Sequence, residues 1–296
     1  MIRKLHNKDI DKARWDALVQ NSQCADVYAL SAYLDVVCPH WHGLILGDYE
    51  AVMPLPVKKR FFFSYIVQPI FSQQYRIYSQ RDISIEEVDL FRKEILKYRF
   101  VRICLSLSLF DTAIPRYNFS LDLSKSYTDI AKHYSENTKR NIQKAQKSGL
   151  ICAKTDNVEQ ALQDFLAADT KNYYTPYKDK IRALVACCDS ETYEVKNESE
   201  TLAVAVFLKT QKRLYYLFPA STTNGKQLSA MFLLLDSVIR TYAETAFTLD
   251  FEGSEIEGVR RFYEGFGARQ ETYYYFRKLF FLQQILSTKD TSLSEN

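Results

Sequence analysis

Glu252 and Tyr263 form a carboxylate–phenol pair suited to moving protons at one substrate. Glu252 ends the stretch Ala246-Phe-Thr-Leu-Asp-Phe251, whose alternation reads as a strand. Ile256, Val259 and Tyr263 then recur at helical spacing, which puts the phenol about two to three turns into the following helix. Ser254 and Glu257 stand at capping-box spacing before it, so Ser254 reads as a helix cap rather than a nucleophile. Gly265 and Gly267 supply the backbone freedom to stop the helix. A carboxylate with apolar neighbours such as Phe251 can work as a general base, and a phenol as an acid. Each also has a plain structural reading: Glu252 as a loop carboxylate on backbone amides, Tyr263 as core packing beside Ile256 and Val259.

The elements that must position this pair are legible along the chain. Residues 10–37 read as helix, with a second helix over Ala29 to Val37. Strand patterns follow at Gly43 to Gly47, Ala51 to Val57, Phe61 to Val67 and Gln73 to Tyr78. Gly47-Asp48 predicts a hairpin turn, and Ser84 with Glu87 a capping box that opens a helix to about Tyr98. Val101 to Leu107 and Tyr117 to Leu123 read as extended. A basic helix is predicted over Tyr127 to Ser148, then a short strand over Ile151 to Lys154. Two further helices follow, the first opened by Asp156 and Glu159. The strands Tyr193 to Lys196, Thr201 to Lys209 and Arg213 to Phe218 come next, then a small polar loop over Ala220 to Gly225. One long helix is expected over Lys226 to Ala243, and a last strand over Glu271 to Lys278.

Other residues have competing readings. Arg140, Lys144 and Lys147, with Lys139 beside them, form a basic face that could hold phosphates or be merely solvated. Tyr173, Tyr174 and Tyr177 near Pro176 could wall an acceptor groove or pack a loop. The Ala220 to Gly225 loop feeds a helix N-terminus with Lys226 beside it, a setting that favours phosphate. His40 and His42 have no carboxylate or cysteine at ligand spacing, so no metal is expected.

Composition bounds the class. At 296 residues with 47% hydrophobic content, the chain has room for two folded cores. Its net charge of +3 is too small to argue nucleic-acid binding by itself. The six cysteines form no CxxC pair and read as reduced thiols. Met1-Ile-Arg-Lys runs into polar sequence rather than a signal peptide, and no apolar run is long enough to span a bilayer; a cytoplasmic location is expected.

The segment Phe262-Tyr-Glu-Gly-Phe-Gly-Ala268 resembles the one that closes the acyl-CoA N-acyltransferase (GNAT) fold. The start Asp250-Phe-Glu-Gly253 and the basic stretch Asn137-Thr-Lys-Arg-Asn-Ile-Gln-Lys-Ala-Gln-Lys-Ser-Gly-Leu150 look like the Fem-type branch, which joins two such folds in tandem and transfers aminoacyl groups. The resemblance covers about Leu121 to Phe276 and is diffuse before that. It implies an α/β protein with mixed sheets and two tandem GNAT-like domains: 1–120, then 121–280 with the active site, then a polar tail at 281–296. It implies N-acyl transfer by direct attack from acyl-CoA to a small-molecule or cell-wall-precursor amine; the alternatives are transfer from an aminoacyl-tRNA to a peptidoglycan precursor, or a non-catalytic binding module on the same fold. Glu252 would be base or amine binder, and Tyr263 the acid. Phe218, Ala220, Asn224, Gly225, Lys226 and Gln227 would hold the donor; Tyr216, Asp250, Arg140, Lys144 and Tyr173 would contact substrate. The loop Ser221-Thr-Thr-Asn-Gly-Lys-Gln227 has one glycine, unlike the Arg/Gln-x-x-Gly-x-Gly/Ala loop of CoA users, so the donor stays open.

Overall fold

The computed structural model describes residues 1–169 and 171–279. Two compact units emerge: residues 1–116 with 272–279, and Tyr117–Glu271. The tail expected at 281–296 lies outside the described residues.

The first unit opens with strand β1 (Ile2–His6) and helices α1 (Lys12–Asn21) and α2 (Ser31–Val37). Asp11 caps α1 by accepting the Arg14 N–H, and Trp15, Leu18 and Val19 are its buried face. Strands β2 (His42–Leu46) and β3 (Ala51–Leu55) form the expected hairpin, with Gly47 at φ 56° in its turn. Strands β4 (Val57–Arg60) and β5 (Phe63–Val67) form another; Phe61 and Phe62, expected inside a strand, make its turn instead. The expected strand at Gln73 to Tyr78 is reduced to β6 (Tyr78–Ser79) and an isolated bridge at Tyr75. Helix α3 (Ile85–Leu96) carries the Ser84/Glu87 capping box in full, and β7 (Phe100–Leu105) follows. One sheet has the order β1-β2-β3-β6. In the other, β5 pairs antiparallel with β4 and parallel with β7. Trp15 and Trp41 meet in the core at 4.9 Å between rings, and the Trp15 indole N–H donates to the Ala29 carbonyl.

The second unit begins in β8 (Ile114–Asp122). The helix expected over Tyr127 to Ser148 is two helices, α4 (Tyr127–Lys132) and α5 (Glu136–Lys147), because Ser135 takes an extended backbone and caps α5 through the Thr138 N–H. Then come β9 (Ile151–Thr155), α6 (Val158–Ala168), capped by Asn157 rather than Asp156, and α7 (Lys178–Cys187). Strands β10 (Ser190–Lys196), β11 (Thr201–Lys209) and β12 (Arg213–Ser221) form a meander. The single helix expected at Lys226 to Ala243 is again two: α8 (Thr223–Gln227) and α9 (Ala230–Tyr242), parted by Ser229 at φ 61°. Strand β13 (Thr248–Gly253) and helix α10 (Glu257–Glu264) complete the order β8-β13-β12-β11-β10-β9. All its pairings are antiparallel except β12 with β13. The core gathers Leu202, Phe207, Leu214, Leu234, Val238, Leu249 and Phe251 between sheet and helices.

Strand β14 (Arg269–Leu279) leaves the second unit and from Thr272 belongs to the first. There Phe276 lies opposite Ile103 of β7 and stacks on Phe110 at 3.6 Å, contacts that carry the chain past the boundary expected from sequence. None of the six cysteines forms a disulfide, and no described helix is long and apolar enough to cross a membrane.

Candidate active site

The site is built where two parallel strands part. β12 and β13 are in register at Arg213↔Thr248, Leu214↔Leu249 and Tyr215↔Asp250. Beyond that point β12 continues to Ser221 on β11 alone, with an irregularity that leaves Leu217 out of register. On the β13 side the register also shifts, between Asp250 and Gly253, and Glu252 sits at φ 65°, a strained setting for a non-glycine residue. Asp250 holds the fork. It is 1% exposed, accepts a 2.5 Å bond from Arg213, and accepts the Glu252 N–H at 2.9 Å. Burial pushes its carboxyl up, against the pull of Arg213.

A cleft of about 590 Å³ lies within the second unit. Of the residues singled out from sequence, Tyr173, Tyr174, Tyr216, Ala220, Gly225, Lys226 and Tyr263 line it. The others sit nearby or elsewhere. Phe218 is fully buried against Phe165 and Tyr174. Asn224 donates to Glu200 at 2.6 Å, and Gln227 is exposed at the end of α8. Glu252 is half-buried and outside the lining, but its charge helps to raise the Tyr174 and Tyr263 phenols. Arg140 and Lys144 are exposed on α5. The neighbouring Asn141 accepts the Ser229 hydroxyl at 2.7 Å, and Ser229 lines the cleft, which brings this basic stretch to the cleft rim.

Tyr263 is 7% exposed. Its ring stacks on Phe251 at 5.1 Å and lies edge-on to Tyr216 at 6.3 Å. Burial holds its phenol well above the ordinary range, and Tyr174, Glu252 and Asp250 add to the effect. Burial raises Tyr216 in the same way. Neither hydroxyl donates to another described residue, so both remain available to a ligand. Ser254 does not cap α10: it accepts the Ile256 N–H in a local turn, and Ile256, with no side-chain acceptor, holds the cap position.

The loop after β12 differs from its sequence reading. Thr222 caps α8, its hydroxyl accepting the Gly225 N–H and its carbonyl the Lys226 N–H, while its own N–H donates to Leu202. Three amides of the loop are therefore already bonded. Lys226 lies in the last turn of α8, not at a helix start. Gly225 is needed for closeness: a Cβ there would lie 2.0 Å from the Leu202 carbonyl oxygen. Gly225→Ala is expected to destabilise the fold by about 1–3 kcal/mol, since backbone must move. Urea unfolding measures this, and a midpoint like that of wild type would show that α8 can shift freely.

Sequence reasoning missed Asp169, Lys171, Ser229, Met231 and Phe262 in the lining. Asp169 accepts the backbone N–H groups of Tyr173, Tyr174 and Thr175, fixing the tyrosine turn against the cleft. Burial alone would raise its carboxyl, but these N–H groups hold it below the usual range. An Asp ahead of a polar, Pro-containing stretch was the available signal. Ser229 and Met231 carried none, because the helical period runs through the break. Among the described residues no cluster of His, Cys, Asp and Glu could hold a metal ion.

Residues 132–262 match the model of the acetyltransferase (GNAT) domain family. No curated protein matches the chain by sequence. Among solved structures, FemX superposes with a TM-score of 0.66 at 15% identity, over 97% of this chain and 99% of that one. The C-terminal domain of a putative lysylphosphatidylglycerol synthetase from Agrobacterium fabrum gives 0.60 at 12% identity, over 97% of each chain. A tandem GNAT protein from the clavulanic acid biosynthesis pathway gives 0.51 at 10% identity, over 94% of this chain and 99% of that one. The fold is thus the mixed α/β tandem-GNAT fold shared with FemX.

Proposed function

We propose that this chain, whose residues 132–262 carry an acetyltransferase (GNAT) domain, moves an acyl group onto an amine by direct attack in the cleft lined by Tyr263. The observation that carries the reading is the buried, hydrogen-bearing phenol of Tyr263 lining a cleft beside the fork of β12 and β13. The amine nitrogen attacks the acyl carbonyl and a C–N bond forms. The bond from the carbonyl carbon to the leaving group breaks. The amine loses its proton to the Glu252 carboxylate, and the leaving group takes one from Tyr263. Solvent returns the proton from Glu252 to Tyr263 and closes the cycle. Backbone amides of β12 beyond Tyr215, where β13 no longer pairs, are the groups to meet the oxyanion.

Two observations favour an aminoacyl-tRNA over acyl-CoA as donor, in keeping with the Fem-type resemblance. The loop that would cradle a pyrophosphate has its Thr222, Gly225 and Lys226 amides bonded internally. A phenol raised by burial is also a weak acid, better matched to a ribose oxygen than to a thiolate leaving group. The exposed Arg140 and Lys144 beside Asn141, with Lys226 and Lys171 at the cleft, offer charge to a phosphate backbone. The acceptor is a small-molecule or cell-wall-precursor amine. The test is titration with charged tRNA and, separately, with acetyl-CoA. Charged tRNA is expected to bind, with affinity reduced about tenfold or more by Arg140→Glu with Lys144→Glu at moderate salt. Micromolar acetyl-CoA binding that Lys226→Glu abolishes would instead assign CoA as the donor.

A further inference from the structure

The β4–β5 hairpin of the first unit ends in an apex that its own packing does not explain. Arg60 lies opposite Phe63, so Phe61 and Phe62 form the whole two-residue loop. Phe61, Phe62 and Phe63 are 80%, 95% and 65% exposed. Phe61 sits at φ 53°, a first loop position that such hairpins give to glycine. Turn chemistry therefore disfavours phenylalanine here and burial does not repay it, which points to a role outside the fold. Three cations precede the apex. Lys58, Lys59 and Arg60 are all exposed and, among the described residues, join no ion pair. Beside them runs a groove of about 720 Å³, bordered by Lys4, Arg60, Lys97 and Arg99 with no carboxylate in its lining. Lys97 is partly compensated by Glu94 at 2.5 Å.

We propose that this hairpin docks the protein on a bilayer rich in anionic phospholipids. Phe61 and Phe62 enter the headgroup–acyl boundary, Lys58, Lys59 and Arg60 lie against the anionic headgroups, and the groove receives a lipid phosphodiester. The pairing of an apolar tip with the exposed Lys58, Lys59 and Arg60 is the combination such an interface rewards. A protein partner would need a broader patch than one hairpin apex. A nucleic-acid strand would call for rings spread on a sheet face rather than gathered at a turn. The inference stands apart from the chemistry proposed for the second unit.

The test is sedimentation of the full chain with vesicles of phosphatidylcholine alone and of phosphatidylcholine mixed with phosphatidylglycerol, at physiological salt. Binding is expected to the mixed vesicles only. Phe62→Ser should weaken it roughly tenfold or more, and Lys58→Glu with Lys59→Glu by about 25-fold or more, near fivefold for each cation removed. Urea midpoints should not change, because these side chains are exposed. Trp15 and Trp41 are fully buried, so Phe62→Trp adds a reporter at the apex whose emission should shift to the blue on mixed vesicles alone. Failure of wild type to bind them, binding indifferent to Phe62→Ser, or an unmoved emission would overturn the proposal. So would concentration-dependent self-association, or tRNA binding that Phe62→Ser abolishes without any vesicle binding.

Discussion

Tyr263→Phe is expected to lower kcat by about 10²-fold to 10⁴-fold and to leave KM and the urea midpoint near their wild-type values. The magnitude is that of a lost general acid. The substitution keeps the ring, and with it the stack on Phe251, the edge contact to Tyr216 and the tilted contact to Phe119. Only a hydroxyl with no described partner is removed, so little stability goes with it. An effect on kcat with KM unchanged marks an interaction made in the transition state rather than in substrate binding. The pH profile supplies a second reading. Burial keeps Tyr263 protonated past the ordinary phenol value of about 10, so the acid is present throughout the neutral range and adds no alkaline limb there. The linkage has a matching sign. Tyr174, Tyr216 and Tyr263 all hold their protons more tightly folded than unfolded. Their contribution to stability is full below pH ~10 and is lost as pH rises from there through the folded values. Wild-type turnover in Tyr263→Phe would remove the phenol from the mechanism.

Asp250→Asn is expected to destabilise the second unit by about 3 kcal/mol, the lower end of the range for breaking a buried ion pair because Arg213 keeps some solvent. Asp250 is 1% exposed, so its loss leaves the Arg213 guanidinium facing a neutral amide. It also weakens the acceptor of the Glu252 N–H at the strained turn beside the cleft. Activity should fall with stability, because the same carboxylate ties β12 to β13 where they part. Replacing both partners, Arg213→Met with Asp250→Leu, should return most of the stability but not the activity, since the apolar pair fills the space without placing Glu252. Denaturant unfolding of the single and double variants decides the matter. A single variant within about 0.5 kcal/mol of wild type would show that the pair contributes nothing net.

Much of this protein could be read from the chain because much of it is locally determined. Short apolar runs bounded by turn residues made β2, β3, β11 and β12 visible, and Ser84 with Glu87 marked the start of α3, since strand pattern and cap chemistry are decided within a few residues. The stretch Phe262 to Ala268 pointed to the GNAT fold, which the solved structures share. Local pattern also misled where backbone geometry overrode it. Apolar residues keep helical spacing across Leu228 and Ser229, yet Ser229 turns left-handed and splits the helix. Ser254 has cap spacing but closes a smaller turn. What the tertiary structure alone decided is long-range: the parting of β12 from β13 beyond Tyr215, the burial of Asp250 against Arg213, the arrival of Asp169 and Ser229 at one cleft, and the entry of β14 into the first unit. Each depends on residues far apart in the chain, whose pairing is set by which surfaces the whole unit can bury, and no short window of sequence carries that information.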